Sequence, residues 1–82
     1  MYELFEQKYK ECEKSLFLVA IGYLHNTEDA KDCMQESVLS ALKSFNKLKY
    51  KEYFKTWFTR IVINKARILL KNGGTQRNLQ TP

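Results

Sequence analysis

An 82-residue chain makes one small domain, which buries only roughly 60–65% of its unfolded surface, so every periodic apolar residue is needed for the core. With 44% hydrophobic and 28% charged residues the composition is globular, and one Pro with three Gly is too little turn chemistry for a sheet fold. The net charge of +5 is divided unevenly: residues 1–42 carry four Lys against eight acids, a net of −4, while residues 43–82 carry seven Lys and three Arg against Glu52 alone, a net of +9. Such a division suits a polar or basic partner for the front half and a polyanion for the back half, nucleic acid ahead of an anionic membrane surface.

No apolar run approaches the ~18–20 residues of a membrane span. The amino-terminal MYELFEQKYKE lacks a basic n-region and a signal-peptide core, which predicts a cytoplasmic protein. Cys12 and Cys33 have no CxxC partner and no nearby ligand-type His, so free thiols are expected and a zinc site is not, with Cys12 on the core side.

The first predicted helix spans 3–24. Phe5, Tyr9, Cys12, Leu16, Ala20 and Tyr23 recur at three- and four-residue steps, broadened by Leu4, Phe17, Val19 and Leu24, and Glu3 and Glu6 suit the positive end of the helix dipole. The pattern stops at His25-Asn26-Thr27, where Asn26 or Thr27 can cap the next helix; His25 reads as a polar loop residue without a role. So short a connection predicts an antiparallel helix pair.

The second helix, centred on Asp29–Phe45, gathers Ala30, Met34, Val38, Ala41 and Phe45 on one side. On the other, Asp32, Gln35, Glu36, Leu39 and Lys43 form a second stripe of two acids, an amide, a bare Leu and a Lys. A helix needs one apolar face to fold, so this stripe reads either as a docking surface for another protein or as a solvated face with one stray Leu.

Residues 46–53, NKLKYKEY, alternate Lys47, Lys49 and Lys51 with Leu48, Tyr50 and Tyr53. With no partner strand in the chain, a loop with an irregular turn is expected. Basic residues interleaved with aromatics suit single-stranded nucleic acid, since Lys meets phosphate and Tyr stacks on a base; the alternative is a soluble loop with its Tyr packed inward. The third helix runs from Phe54 to about Lys71, with Phe54, Trp57, Phe58, Ile61, Ile68 and Leu69 on its predicted core side. Thr56, Arg60, Asn64, Arg67 and Lys71 fall within roughly an 80° arc, and the helix contains no acid. Arg and Lys hold phosphates and Asn bonds a base edge or backbone, so this arc is a directed basic surface. After Gly73, a residue suited to ending a helix, the chain is polar and aperiodic.

The sequence contains no GxxxxGK[ST], GxGxxG, HExxH or nucleophile elbow, and its one His has no acid–base partner pattern. Asp32 and Glu36 share a face at one-turn spacing without a second ligand-bearing helix, so no metal is expected. The expectation is an all-α, compact three-helix domain: an antiparallel pair, a basic aromatic loop and a third helix, over 1–72, with 73–82 a polar tail or the start of a linker. It is a binding module without cofactor, not an enzyme.

The order of these features resembles region 2 of bacterial RNA polymerase sigma factors, in the extracytoplasmic-function (ECF) group of the sigma-70 family. The similarity spans Leu4 to Lys71. It rests on Tyr23-Leu24-His-Asn-Thr-Glu-Asp29-Ala30-Lys31-Asp32, on Gln35-Glu36, and on Phe54-Lys-Thr-Trp57-Phe58-Thr-Arg-Ile61-Val-Ile-Asn64. The resemblance implies that Asp32, Gln35, Glu36 and Leu39 dock on the clamp helices of the polymerase β′ subunit. It implies that Lys49, Tyr50 and Tyr53, with Arg60, Asn64 and Arg67, recognise the unpaired non-template strand of the promoter −10 element and help melt it. An anti-sigma protein joins the set of candidate partners; a membrane does not. Trp57-Phe58 stands where the family has Trp-Leu, and Lys65-Ala66-Arg67 lacks the Asp the family often places before its Arg. The family's second domain, a helix-turn-helix for the −35 element, is missing, which suits either a piece of a longer chain or a one-domain relative with a separate partner; the polar run after Gly74 fits the first. The rival readings are a small helical DNA-binding or regulatory protein unrelated to polymerase, and an interaction module whose positive charge serves solubility.

Overall fold

Three α-helices account for most of the chain, and the computed structural model describes residues 2–71. They are α1 (Glu3–Leu24), α2 (Thr27–Ser44) and α3 (Phe54–Lys71), with two single 3₁₀ turns, Phe45–Lys47 and Lys51–Tyr53, between α2 and α3. Among the described residues there is no strand, so the all-α expectation holds. The predicted tail 73–82, with the helix stop at Gly73, lies outside the described residues.

Each helix boundary has a local cause. The side chain of Asn26 settles which residue caps α2: its Oδ1 accepts the Asp29 N–H at 2.9 Å. His25 ends α1 with φ at 55° in the left-handed region, and its N–H donates to the Ile21 carbonyl at 2.7 Å. That position favours Gly or Asn, so His25 has a backbone task that composition did not reveal. With a two-residue connection, α2 returns antiparallel along α1, and all three helix pairs are in contact.

The core divides by side-chain size. At the end where α2 passes into the loop, Phe5, Phe45, Phe54 and Phe58 are buried, and Tyr9 and Trp57 pack beside them half-exposed. Their ring centroids lie 5.3–6.3 Å apart, several edge-to-face, for example Phe5–Phe45 at 5.3 Å and 89°. Such pairs add about 0.5–1.5 kcal/mol each beyond the area they bury. Toward the other end Ala20, Ala30 and Ala66 are completely buried, so the backbones approach closely. There the Cys33 thiol donates to the Val62 carbonyl at 3.5 Å, tying α2 to α3. Buried Ser37 donates to the Cys33 carbonyl at 2.7 Å, which satisfies its hydroxyl within its own helix.

Several sequence expectations about the core are corrected. Ile68, expected on the core side of α3, is 51% exposed, and Leu4 in α1 is 43% exposed. The α3 core line is Phe54, Phe58, Val62 and Ala66. Apolar residues lie almost all round α3, and the large side chains drew the expected face toward Trp57, Ile61 and Ile68, whereas α3 faces α1 and α2 through the smaller Val62 and Ala66. In α2, Cys33 and Ser37 join the expected core residues, and Asp29 is buried too. Both thiols are free, and Cys12 is buried, as expected; the burial of Cys33 was not foreseen. Burial pushes each thiol pKa up from its ordinary value.

Candidate docking and nucleic-acid interface

The outer stripe of α2 lies between two grooves. Asp32, Gln35 and Glu36 are exposed, and Leu39 is 59% exposed although apolar. On one side, α1 and α2 enclose a mainly apolar open groove lined by Tyr9, Phe17, Leu18, Met34, Val38 and Leu39. Gln35 lines this groove as well. On the other side, Asp32, Gln35 and Glu36 face Lys65, Ile68 and Leu69 of α3 across a smaller groove. The stripe is therefore a ridge, with Gln35 on both flanks, an apolar trough beside Leu39 and a mixed acidic–basic trough beside Glu36. Sequence spacing located the ridge; the troughs depend on which faces of α1 and α3 come alongside, and no single helix reveals that.

The α1–α2 groove carries a perturbed tyrosine. Burial, with the Glu13 carboxylate beside it, pushes the Tyr9 hydroxyl pKa up to about 12. Tyr9 thus holds its proton well into alkaline conditions, and its ring leans on Phe58 at 5.5 Å.

The second candidate surface comprises the loop and one side of α3. Tyr50 is 51% and Tyr53 59% exposed, so the reading in which the loop tyrosines pack inward does not hold. Their rings meet edge-to-face, centroids 6.0 Å apart at 89°, and the Tyr53 N–H donates to the Tyr50 carbonyl at 3.0 Å. The Lys49 ammonium lies 5.5 Å from the Tyr50 ring centroid, so Lys49, Tyr50 and Tyr53 form one exposed cation–aromatic cluster. Immediately after Tyr53 the chain enters α3, where Arg60, Asn64 and Arg67 are all exposed. At 1.5 Å rise per residue, these three extend over ~10 Å of helix axis as one row. Trp57 has no free ring to offer there: it packs against Phe45 at 6.2 Å and Phe54 at 5.6 Å.

Lys51 departs from the pattern of its neighbours. Its ammonium turns inward and donates to the carbonyls of Phe45, at 3.2 Å, and Leu48. It also stands 4.8 Å over the Phe45 ring. Alternation alone groups Lys47, Lys49 and Lys51 together; the structure separates Lys51 from the other two.

Among the described residues no group of three or more His, Cys, Asp or Glu is arranged to hold a metal ion. No described helix is long and apolar enough to cross a membrane.

Comparison with known proteins gives the family of the chain. The family model for Sigma-70 region 2 matches residues 9–74, covering the α2 ridge, the loop and α3. The chain is also similar to the RNA polymerase sigma factor SigV of Bacillus subtilis (strain 168), 33% identical over 54 residues. That alignment covers 66% of this chain and 32% of the relative, so the chain spans about a third of the length of the curated protein it matches. No solved structure matches it.

Proposed function

The chain belongs to the Sigma-70 region 2 family, and from that premise we propose that it is the promoter-recognition module of an ECF-type bacterial sigma factor. The observation that carries the reading is the family match itself, which runs unbroken across residues 9–74 and so includes both candidate surfaces. The helical domain is assigned to 1–72, with 73–82 as a polar tail or the start of a linker. Through Asp32, Gln35, Glu36 and Leu39, the α2 ridge docks on the clamp helices of the polymerase β′ subunit, with the exposed Leu39 as apolar anchor and the carboxylates and amide as polar rim. An anti-sigma protein is a candidate competitor for this face. The site of action is the cytoplasm, where polymerase works.

On the other surface, Lys49, Arg60 and Arg67 neutralise phosphates, Tyr50 and Tyr53 stack on unpaired −10 bases, and Asn64 bonds a base edge or backbone. Bases captured outside the duplex offset part of the cost of unpairing, which biases the promoter toward its open form. No step of this activity needs a reaction at the module itself, so it acts by binding.

Capture on immobilised polymerase core tests the docking half. Leu39→Ala and Gln35→Ala are each expected to weaken capture, Leu39→Ala by about tenfold, which corresponds to ~1.4 kcal/mol for an apolar anchor. Undiminished capture by both variants would remove α2 from the docking surface.

A further inference from the structure

The loop that displays Tyr50 and Tyr53 is held from below by a single ammonium group. Lys51 reaches back across the loop to two main-chain oxygens, those of Phe45 and Leu48, six and three residues upstream. The Phe45 carbonyl also accepts the Leu48 N–H at 3.0 Å, so one helix-end oxygen collects two donors and the loop closes around it. Carbonyls at the carboxyl end of a helix lack intrahelical partners and carry the negative end of its dipole, a suitable seat for a cation. Beneath the ammonium lies the Phe45 ring, 4.8 Å away, itself fixed edge-on against Phe5 and Phe54. Lys51 thus connects the loop to the aromatic end of the core, and Tyr50 is its immediate neighbour.

We infer that Lys51 is a positioning residue for nucleic-acid capture: it contributes its charge to the loop's own backbone, and it sets the Tyr50–Tyr53 pair in place for bases it does not touch. The role of the pair rests on the proposed single-strand reading; the clamp itself does not. A compact ammonium with three donors fits two carbonyls and a ring face in a way that a flat, broad guanidinium does not.

Two measurements on the 82-residue chain test this. In Lys51→Met the aliphatic stem still covers Phe45 but the two hydrogen bonds are gone. The Tyr50 and Tyr53 ring-proton NMR shifts, which report the 6.0 Å edge-to-face contact, are expected to move toward those of free tyrosine while the α-helical circular dichroism is retained. Unchanged ring shifts would overturn the inference, whatever the chain does with DNA. Titration with a short single-stranded oligodeoxynucleotide is then expected to show about fivefold weaker binding for Lys51→Met, the size of one to two net hydrogen bonds. Its dependence on log salt should keep the wild-type slope, because no phosphate contact is lost. A slope reduced by about one would mean that Lys51 meets phosphate directly, and would also overturn the inference. Lys51→Arg retains the charge, so wild-type binding together with lost ring order would likewise count against positioning. The underlying reading is tested separately: if Tyr50→Ala and Tyr53→Ala bind the oligonucleotide as wild type, single-strand capture by the loop falls while the ring-shift result stands.

Discussion

Tyr9 faces two ways at once, its ring on Phe58 in the aromatic core and its hydroxyl in the α1–α2 groove beside Glu13. Its folded-state pKa of about 12 exceeds the ordinary value of 10.0. The proton is therefore held more tightly in the folded than in the unfolded chain. The stability this contributes is complete below pH 10 and is lost as pH rises through about 12. Many lysines titrate in the same range, so the informative quantity is a difference. Measured by urea unfolding, the gap between wild type and Tyr9→Phe is expected to shift in favour of the Phe variant from pH 9 to pH 12, and a gap independent of pH would remove Tyr9 from the alkaline response. Single residues were also the scale at which the sequence was least legible. His25 is an ordinary polar residue until its φ of 55° is known, and Lys51 is indistinguishable from Lys49 until its ammonium is seen to face inward.

At the scale of the element, legibility rose sharply. Both ends of α1 and the start of α3 coincide with those expected from apolar period and turn residues, and α2 differs by a residue or two. Three strong 3.6-residue patterns separated by polar breaks leave little freedom in where helices start and stop. What the pattern could not resolve was the azimuth of α3, where both flanks of the core line also carry apolar residues. Its hydrophilic side was clear all the same, because exposed Arg60, Asn64 and Arg67 come without an acid anywhere in the helix. A row of cations of this kind yields a quantitative expectation. Arg67→Ala should weaken oligonucleotide binding and lower the slope of log affinity against log salt by about one, whereas Asn64→Ala should weaken binding at unchanged slope. Equal slopes for wild type and Arg67→Ala would take Arg67 off the phosphate-facing side.

Across the whole molecule, the three helices share one core, and both thiols lie inside it, Cys12 4% exposed and Cys33 not at all. Burial also raises their pKa values, which keeps the reactive thiolate scarce. Labelling by a thiol-specific disulfide reagent then reports opening of the bundle. The expectation is a rate at least about a hundredfold below that of the urea-unfolded chain for both residues, with a single opening free energy if the bundle opens as one unit. Fast labelling of Cys12 alone would show that α1 frays independently of the α2–α3 pair. The charge division has a whole-molecule meaning too. Counted over the described helices, α1 (four acids, three Lys) and α2 (four acids, two Lys) together carry −3 and α3 (five cations, no acid) carries +5; the three are in mutual contact, so the bundle is a short electric dipole. Such a body turns in the field of a polyanion before it makes contact, presenting α3 and the loop first.

The aromatic end of the core has a consequence for heredity as much as for stability. Phe45 closes α2, supports the Lys51 ammonium and packs on Phe5, Phe54 and Trp57. In most folds an interior residue drifts freely among shapes of similar volume, since the working surface lies elsewhere. Here the interior is also the underside of the loop that exposes Tyr50 and Tyr53. A change that the core would accept on volume alone still moves the seat of the Lys51 ammonium, and with it the loop that carries Tyr50 and Tyr53, so packing and the shape of that exposed surface cannot be altered one without the other.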